Sequence, residues 1–282
     1  MVEQLSQDYP IRELCAAVEV SRSGYYAWRR GQESARELGN RMLREEIKQM
    51  FYTQRQRYGS PRITEALRRE GQLCNHKRVE RLMRQEGLQA LRGKRRKVQT
   101  THSDHDQPVA PNLLLGRPAP SKPDEVWVAD ITYLPTAEGW LFLAAVMDLY
   151  SRQVLGWSVW ESLAAAGALQ ALNRALVKRG YPSGVIHHSD HGIQYACTEY
   201  RRALQRQGLI TSMSRKGNCY DNAAMEAFWS TLKREAMQNS EHWSKDRTRR
   251  ELFQCIEGDY NRSRFHSSLG YQSPVDFEQQ NN

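Results

Sequence analysis

No run of 18 apolar residues occurs in this 282-residue sequence, so no segment reads as crossing a bilayer. The opening MVEQLSQDYPIREL carries no apolar stretch of the kind a secretory signal needs. Cysteine is sparse. Cys15, Cys74, Cys197, Cys219 and Cys255 stand far apart, and no two lie within four residues, which excludes a CxxC zinc pair. An odd, scattered set reads as reduced thiols, so the expected location is cytoplasmic, with no membrane partner. No internal repeat stands out beyond two helical hairpins. The length allows two or three domains, and 39% hydrophobic residues supply a core.

Basic charge is present and unevenly placed. Residues 1–100 hold 22 Lys+Arg against 12 Asp+Glu, and the other 182 residues hold 19 against 20. An N-terminal excess of this kind fits a polyanion, most simply nucleic acid; a solvated helical surface accounts for it as well. Residues 1–33 read as two short helices broken near Glu19-Val20, with Ser21 or Ser23 as a cap. Either a helix-turn-helix or a plain helical hairpin fits. Residues 34–92 repeat the theme. A helix is expected near 34–52, then one capped by Ser60 with Pro61 in its first turn, then one capped by Asn75. Val79, Leu82 and Met83 would face inward, leaving Lys77, Arg78 and Arg81 on the outside of a short basic helix suited to a major groove. Residues 93–124 form a linker. It opens with Lys94, Arg95, Arg96 and Lys97, a tether able to track phosphates, and its prolines then prevent regular structure.

From 125 to 282 the periodicity changes. VWVADITYL and GWLFLAAVMDLYSRQVLGWSVW read as three antiparallel strands. A helix at 162–179, a strand in GVIHHSD, a helix at 198–207, a strand at 209–214 and a helix at about 222–238 complete a mixed α/β layer. Asp130 lies in the first strand and Asp190 ends the fourth, where ligands of open α/β sheets gather. The last helix carries Met225, Phe228, Trp229 and Leu232 at i, i+3, i+4 and i+7, a stripe that packs on the sheet. Glu226, Ser230 and Lys233 share the neighbouring face, so Glu226 can lean toward the sheet edge. Three carboxylates without a cysteine make an oxygen site, favouring Mg²⁺ or Mn²⁺ over zinc. Two such ions stabilise the attacking and leaving oxygens of phosphoryl displacement. His187 and His188 point to opposite faces of a strand and so bind one ion poorly. Asp148, at a hairpin end, reads as structural. No chemistry assigns Arg264 or His266 a role: each could bind DNA or buttress the fold.

Together WVADITY, HSDHGIQY and YDNAAMEAFWSTLKRE, with 35 residues between Asp190 and Glu226, resemble the DDE recombinases with a ribonuclease-H fold. The chain is similar to the second-frame (OrfB) product of insertion-sequence-3-type bacterial transposases. The start YPIRELCAAVEVSRSGYYAWRRG and the tail YNRSRFHSSLGYQSPVDFE carry the same resemblance, which spans nearly the whole chain. The resemblance implies a ribonuclease-H-like mixed five-stranded sheet with flanking helices, preceded by all-α helix-turn-helix units. It implies Asp130, Asp190 and Glu226 as catalytic residues and ligands of two Mg²⁺ ions per site, with Mn²⁺ as substitute. Lys233 would touch element-end DNA, and Asn222 would position DNA or a water. His191 stands where the family carries glutamine, which puts a neighbouring contact in doubt. The implied activity is cutting at element ends and joining the freed 3′-OH to a second phosphodiester. Implied partners are terminal-repeat and target DNA, further copies of the chain on DNA, and an upstream-frame DNA-binding product joined by frameshift; the implied location is the bacterial cytoplasm, at the nucleoid when bound to DNA. Two rivals remain at this stage: a DNA-binding regulator with an inactive nuclease fold, and a ribonuclease H acting on RNA–DNA hybrids.

Overall fold

A computed structural model describes residues 2–31, 33–91, 107–215 and 222–281. Two compact units emerge, residues 1–90 and 91–282.

The first unit is helical. It begins with α1 (Val2–Leu5), α2 (Ile11–Ala17) and α3 (Arg22–Arg29), three helices where the sequence pattern shows two. The extra one is four residues long and buries nothing, so it leaves no apolar period to read. Ser21 is the cap of α3, its hydroxyl accepting from the Gly24 N–H. Next comes α4 (Ala35–Thr53), started by a reciprocal capping box between Ser34 and Glu37. α5 (Ser60–Arg69) starts one residue earlier than expected. Gly59 holds the cap position and Ser60 is already helical, its hydroxyl hydrogen-bonded to the His76 ring at 3.1 Å. α6 (His76–Gln85) is capped by Asn75, which accepts from the Lys77 N–H. Ile63, Leu67, Val79 and Leu82 are fully buried between α4, α5 and α6.

The second unit is built on a five-stranded sheet. β1 (Val126–Thr136), β2 (Gly139–Asp148) and β3 (Val154–Trp160) run antiparallel. β4 (Ile186–Ser189) lies parallel to β1 and β5 (Ile210–Met213) parallel to β4, giving the order β3-β2-β1-β4-β5. Between them run α7 (Ala165–Arg179), α8 (Ile193–Ala196) and α9 (Thr198–Arg206). After β5 come α10 (Ala223–Glu235), α11 (Lys245–Phe253), a π-helical stretch Gln254–Tyr260 and α12 (Pro274–Gln280). This is the mixed sheet with flanking helices that the periodicity predicts.

Strand alternation separates two cores. Trp127 and Ala129 face Leu172, Leu176, Tyr200 and Leu204 of α7 and α9. Val126 and Val128 face Met225, Phe228, Trp229 and Leu232 of α10. The period therefore assigns the side chain of Asp130 to the α10 face. Helix α7 comes very close to β3 at Gly156, where a Cβ would meet the Ala175 nitrogen at 2.5 Å and overlap the Ala171 carbonyl oxygen. Residues 107–125 lack regular structure, as their prolines imply, yet they lie along the core: the Leu113 N–H donates to Ser212 at 3.0 Å and Leu114 packs on the α10 side.

Candidate active site

The parallel pairing of β1 with β4 sets the site. Val128 stands opposite His188. Two residues further along each chain come Asp130 and Asp190, at the carboxyl ends of neighbouring strands. Asp130 is held on both oxygens: Oδ1 accepts from the Ile131 N–H at 2.8 Å, and Oδ2 accepts from the Trp229 indole N–H, also at 2.8 Å. The Asp190 Oδ1 accepts from the Gly192 N–H at 2.9 Å. A Cβ at position 192 would sit 2.9 Å from that same oxygen, so glycine keeps the carboxylate uncrowded.

Burial pushes the Asp130 carboxyl up to about 7, and the negative charge of Asp190 adds to the rise. The Trp229 and Ile131 hydrogen bonds oppose it, and Glu226 contributes the smallest increment. Two carboxylates thus press on each other in a shielded place, the condition under which one group keeps its proton until a cation arrives. Tyr133 is raised by burial and by the same two aspartates. Helix α10 lies across this edge. Glu226 is exposed on it and raised by burial, at a longer reach from the pair. Lys233 is half-buried; burial lowers its pKa while attraction to Asp130 works against that. Among the described residues no three His, Cys, Asp or Glu side chains close into a metal-holding group. Asp130 and Asp190 come together, and Glu226 stands apart from them.

The remaining sequence candidates fall in distinct places. Asn222 is buried at the start of α10, its amide donating to the Ala129 carbonyl at 3.4 Å, so it ties the helix to β1 beside Asp130. Lys77 and Arg81 are exposed on α6. Arg78 instead reaches inward and donates to Asn40 at 2.9 Å. Lys94, Arg95, Arg96 and Lys97 lie outside the described residues. His187 and His188 belong to the core. The His187 ring bonds the Tyr200 hydroxyl at 3.0 Å and the His188 ring bonds Ser212 at 2.9 Å. Burial pushes His187 down to about 3, which keeps it neutral. Asp148 is fully buried and accepts from the N–H groups of Asp124, Tyr150 and Ser151, a turn-forming role. Arg264 is buried in a two-pronged ion pair with Glu235, both contacts at 2.8 Å. His266 stacks edge-on to Tyr260 at 4.7 Å. Both buttress the fold.

Sequence reasoning missed the bond from Trp229 to Asp130. The stripe Met225, Phe228, Trp229, Leu232 reads as packing alone. Its one signal is that only the indole carries a donor, and a buried indole N–H needs an acceptor.

Comparison with known proteins places this geometry. An integrase core domain family matches residues 120–219, a second integrase core domain family matches 207–274, and an HTH-like domain family matches 37–97. The chain is 40% identical over 282 residues to the transposase InsF of insertion sequence IS3A from Escherichia coli (strain K12), covering 99% of this chain and 98% of that one. The chain belongs to the IS3 family of transposases. A 31 kDa protein of the insertion element IS600 from Shigella sonnei is 42% identical over 266 residues, or 94% of this transposase and 97% of the relative. Among solved structures, a chain of the simian T-cell lymphotropic virus intasome is similar at 14% identity and TM-score 0.48, over 83% of this chain and 74% of that one. By its two family matches the IS3-family transposase carries an integrase core domain, and its carboxylate pair lies within the first of them.

Proposed function

We propose that this transposase cuts and joins DNA at the ends of its insertion element, with Asp130, Asp190 and Glu226 as the catalytic carboxylates. The observation that carries this is the Asp130–Asp190 pair. It sits at adjacent strand ends, with Asp130 driven toward its protonated form by burial and by the charge of Asp190, and is overlaid by the helix bearing Glu226 and Lys233. The donor set fits a hard divalent cation: the two facing side chains offer only carboxylate oxygens, and a cation relieves their repulsion. Asp130 and Asp190 would hold Mg²⁺ or Mn²⁺ with Glu226 joining them, two ions per site. When bound, such ions supply charge neutralisation at the attacking and leaving oxygens.

The chain's own residues supply placement. In the cut, a water oxygen bonds to phosphorus and the bond to the 3′ oxygen breaks, leaving a 3′-OH. In the joining step the oxygen of that 3′-OH bonds to a second phosphorus, and the 3′ oxygen of the attacked strand leaves that phosphorus and takes up the proton, so this step conserves phosphodiester bonds and no ATP is consumed. Lys233 holds a DNA phosphate beside the carboxylates. Asn222 fixes the start of α10 against β1 beside Asp130 and positions DNA or a water there. Lys77 and Arg81, exposed on α6, with Lys94, Arg95, Arg96 and Lys97 after it, grip the terminal repeats, while Arg78 is turned to Asn40 and braces α6 against α4. The functional divisions are 1–33 and 34–92 for DNA, 93–124 as tether and 125–282 as an integrase-type catalytic core with a C-terminal extension. The working form is a homo-oligomer on DNA, joined with or fused to an upstream-frame product, in the bacterial cytoplasm at the nucleoid. The inactive-regulator and ribonuclease H readings find no support in the family matches.

Strand transfer on end-sequence oligonucleotides in Mg²⁺ tests the assignment. Asp190→Asn and Glu226→Gln should each lose at least about 100-fold in rate while still shifting end DNA in gels. Undiminished joining by either variant removes that residue from the catalytic set.

A further inference from the structure

We propose that Trp229 is a positioning residue: its indole N–H sets the rotation of the Asp130 carboxylate and clamps α10 to the end of β1. The proposal rests on the reading of Asp130 as a cation-binding group. Trp229 is 7% exposed and donates to Asp130 Oδ2 at 2.8 Å, while Ile131 holds Oδ1 at the same distance. Each carboxylate oxygen has two acceptor positions. One on each oxygen is therefore taken, which fixes the plane of the group and leaves a defined remainder for a cation. Without the indole, the carboxyl hangs on a single bond to its own strand and is free to rotate away from the charge of Asp190.

The geometry of the helix strengthens the argument. Met225, Phe228 and Leu232 pin α10 through apolar contact, which tolerates sliding. Phe228 lies against Trp229 with ring centroids 4.6 Å apart. The indole bond is directional, and it joins residues 99 apart in the chain. It therefore fixes the height of α10 along β1, and with it the distance that separates Glu226, three residues before Trp229, from the aspartate pair. Hydrogen bonds that orient a ligating carboxylate commonly change metal affinity or activity by about 10–100-fold when removed.

The test replaces Trp229 with 3-benzothienylalanine, which swaps the ring N–H for sulfur and keeps the shape, alongside Trp229→Phe. Mn²⁺ binding to the full chain is measured by calorimetry, together with the Mg²⁺ concentration for half-maximal strand transfer. Both replacements should weaken Mn²⁺ binding by about 10-fold or more and raise the Mg²⁺ requirement in parallel, with gel shifts of end DNA unchanged. In ¹⁵N-tryptophan spectra, the indole signal missing from Trp229→Phe should move on Mn²⁺-free Mg²⁺ titration of wild type and stay fixed in Asp130→Asn. A folded benzothienylalanine variant that binds Mn²⁺ within twofold of wild type overturns the proposal, because the indole then serves packing alone. Asp130→Asn separates the two failures. If it still joins strands in Mg²⁺, the reading of Asp130 fails; if it binds no Mn²⁺ while the Trp229 variants bind normally, only the role of the indole fails.

Discussion

Replacing Asp130 with asparagine should stabilise the metal-free protein at pH 8 while ending catalysis. Burial and the charge of Asp190 carry the Asp130 carboxyl from an ordinary 3.8 up to about 7. Below the lower value both the folded and unfolded chains hold the proton, and no stability is lost. Between the two values the unfolded chain releases it and the folded chain does not, so stability falls as pH rises; above the upper value the whole cost stands. At 1.36 kcal/mol per pKa unit the cost is on the order of 4 kcal/mol. Asparagine removes the charge but has one oxygen for the two donors, Trp229 and Ile131. The donor left without an acceptor costs about 1–2 kcal/mol. The balance favours the variant by about 2–3 kcal/mol at pH 8, or roughly 5–10 °C in melting temperature for a unit of this size. Circular dichroism melts in EDTA from pH 4 to 8.5 measure this. The difference should shrink on acidification and reverse slightly near pH 4. Added Mg²⁺ should raise the wild-type transition and leave the variant unmoved. A variant that melts at or below wild type at pH 8 would mean that Asp130 bears no unfavourable charge, and the argument for a cation at the pair would fall with it.

Arg264→Ala takes from the buried Glu235 carboxylate its two-pronged partner and leaves the Arg234 contact at 3.0 Å, and should destabilise the second unit by about 3 kcal/mol in urea titrations, with no change in the salt dependence of DNA binding. Lys77→Ala and Arg81→Ala should each weaken terminal-repeat binding and reduce the slope of log affinity against log salt by about 1, measured by fluorescence anisotropy; an unchanged slope would place α6 away from phosphates. Gly156→Ala forces a methyl group into the backbone of α7 and should cost about 3 kcal/mol, visible as a lowered melting temperature without loss of the helical signal of the first unit.

Much of this protein is legible along the chain because its signals are local. The alternation in VWVADITYL sorts β1 between two cores, and the period of Met225, Phe228, Trp229 and Leu232 marks the buried face of α10. The caps at Ser21 and Asn75 are written within three residues of the helices they start. The cap at Ser60 misleads because glycine can hold the same backbone shape without a side chain, which freed Ser60 to bond His76. The same limit explains HHSDHGIQY. Strand alternation argues against His187 and His188 sharing an ion, and it leaves open what they do; they are core because Tyr200 and Ser212 arrive from elsewhere to satisfy them.

Local periodicity settles which face a residue takes, since helices and strands repeat over a few positions. It is silent on which faces meet, because that depends on how the chain crosses back on itself. Parallel pairing of β1 with β4 is what sets Asp130 beside Asp190, and the passage of α10 over that edge is what turns a packing tryptophan into a donor for Asp130.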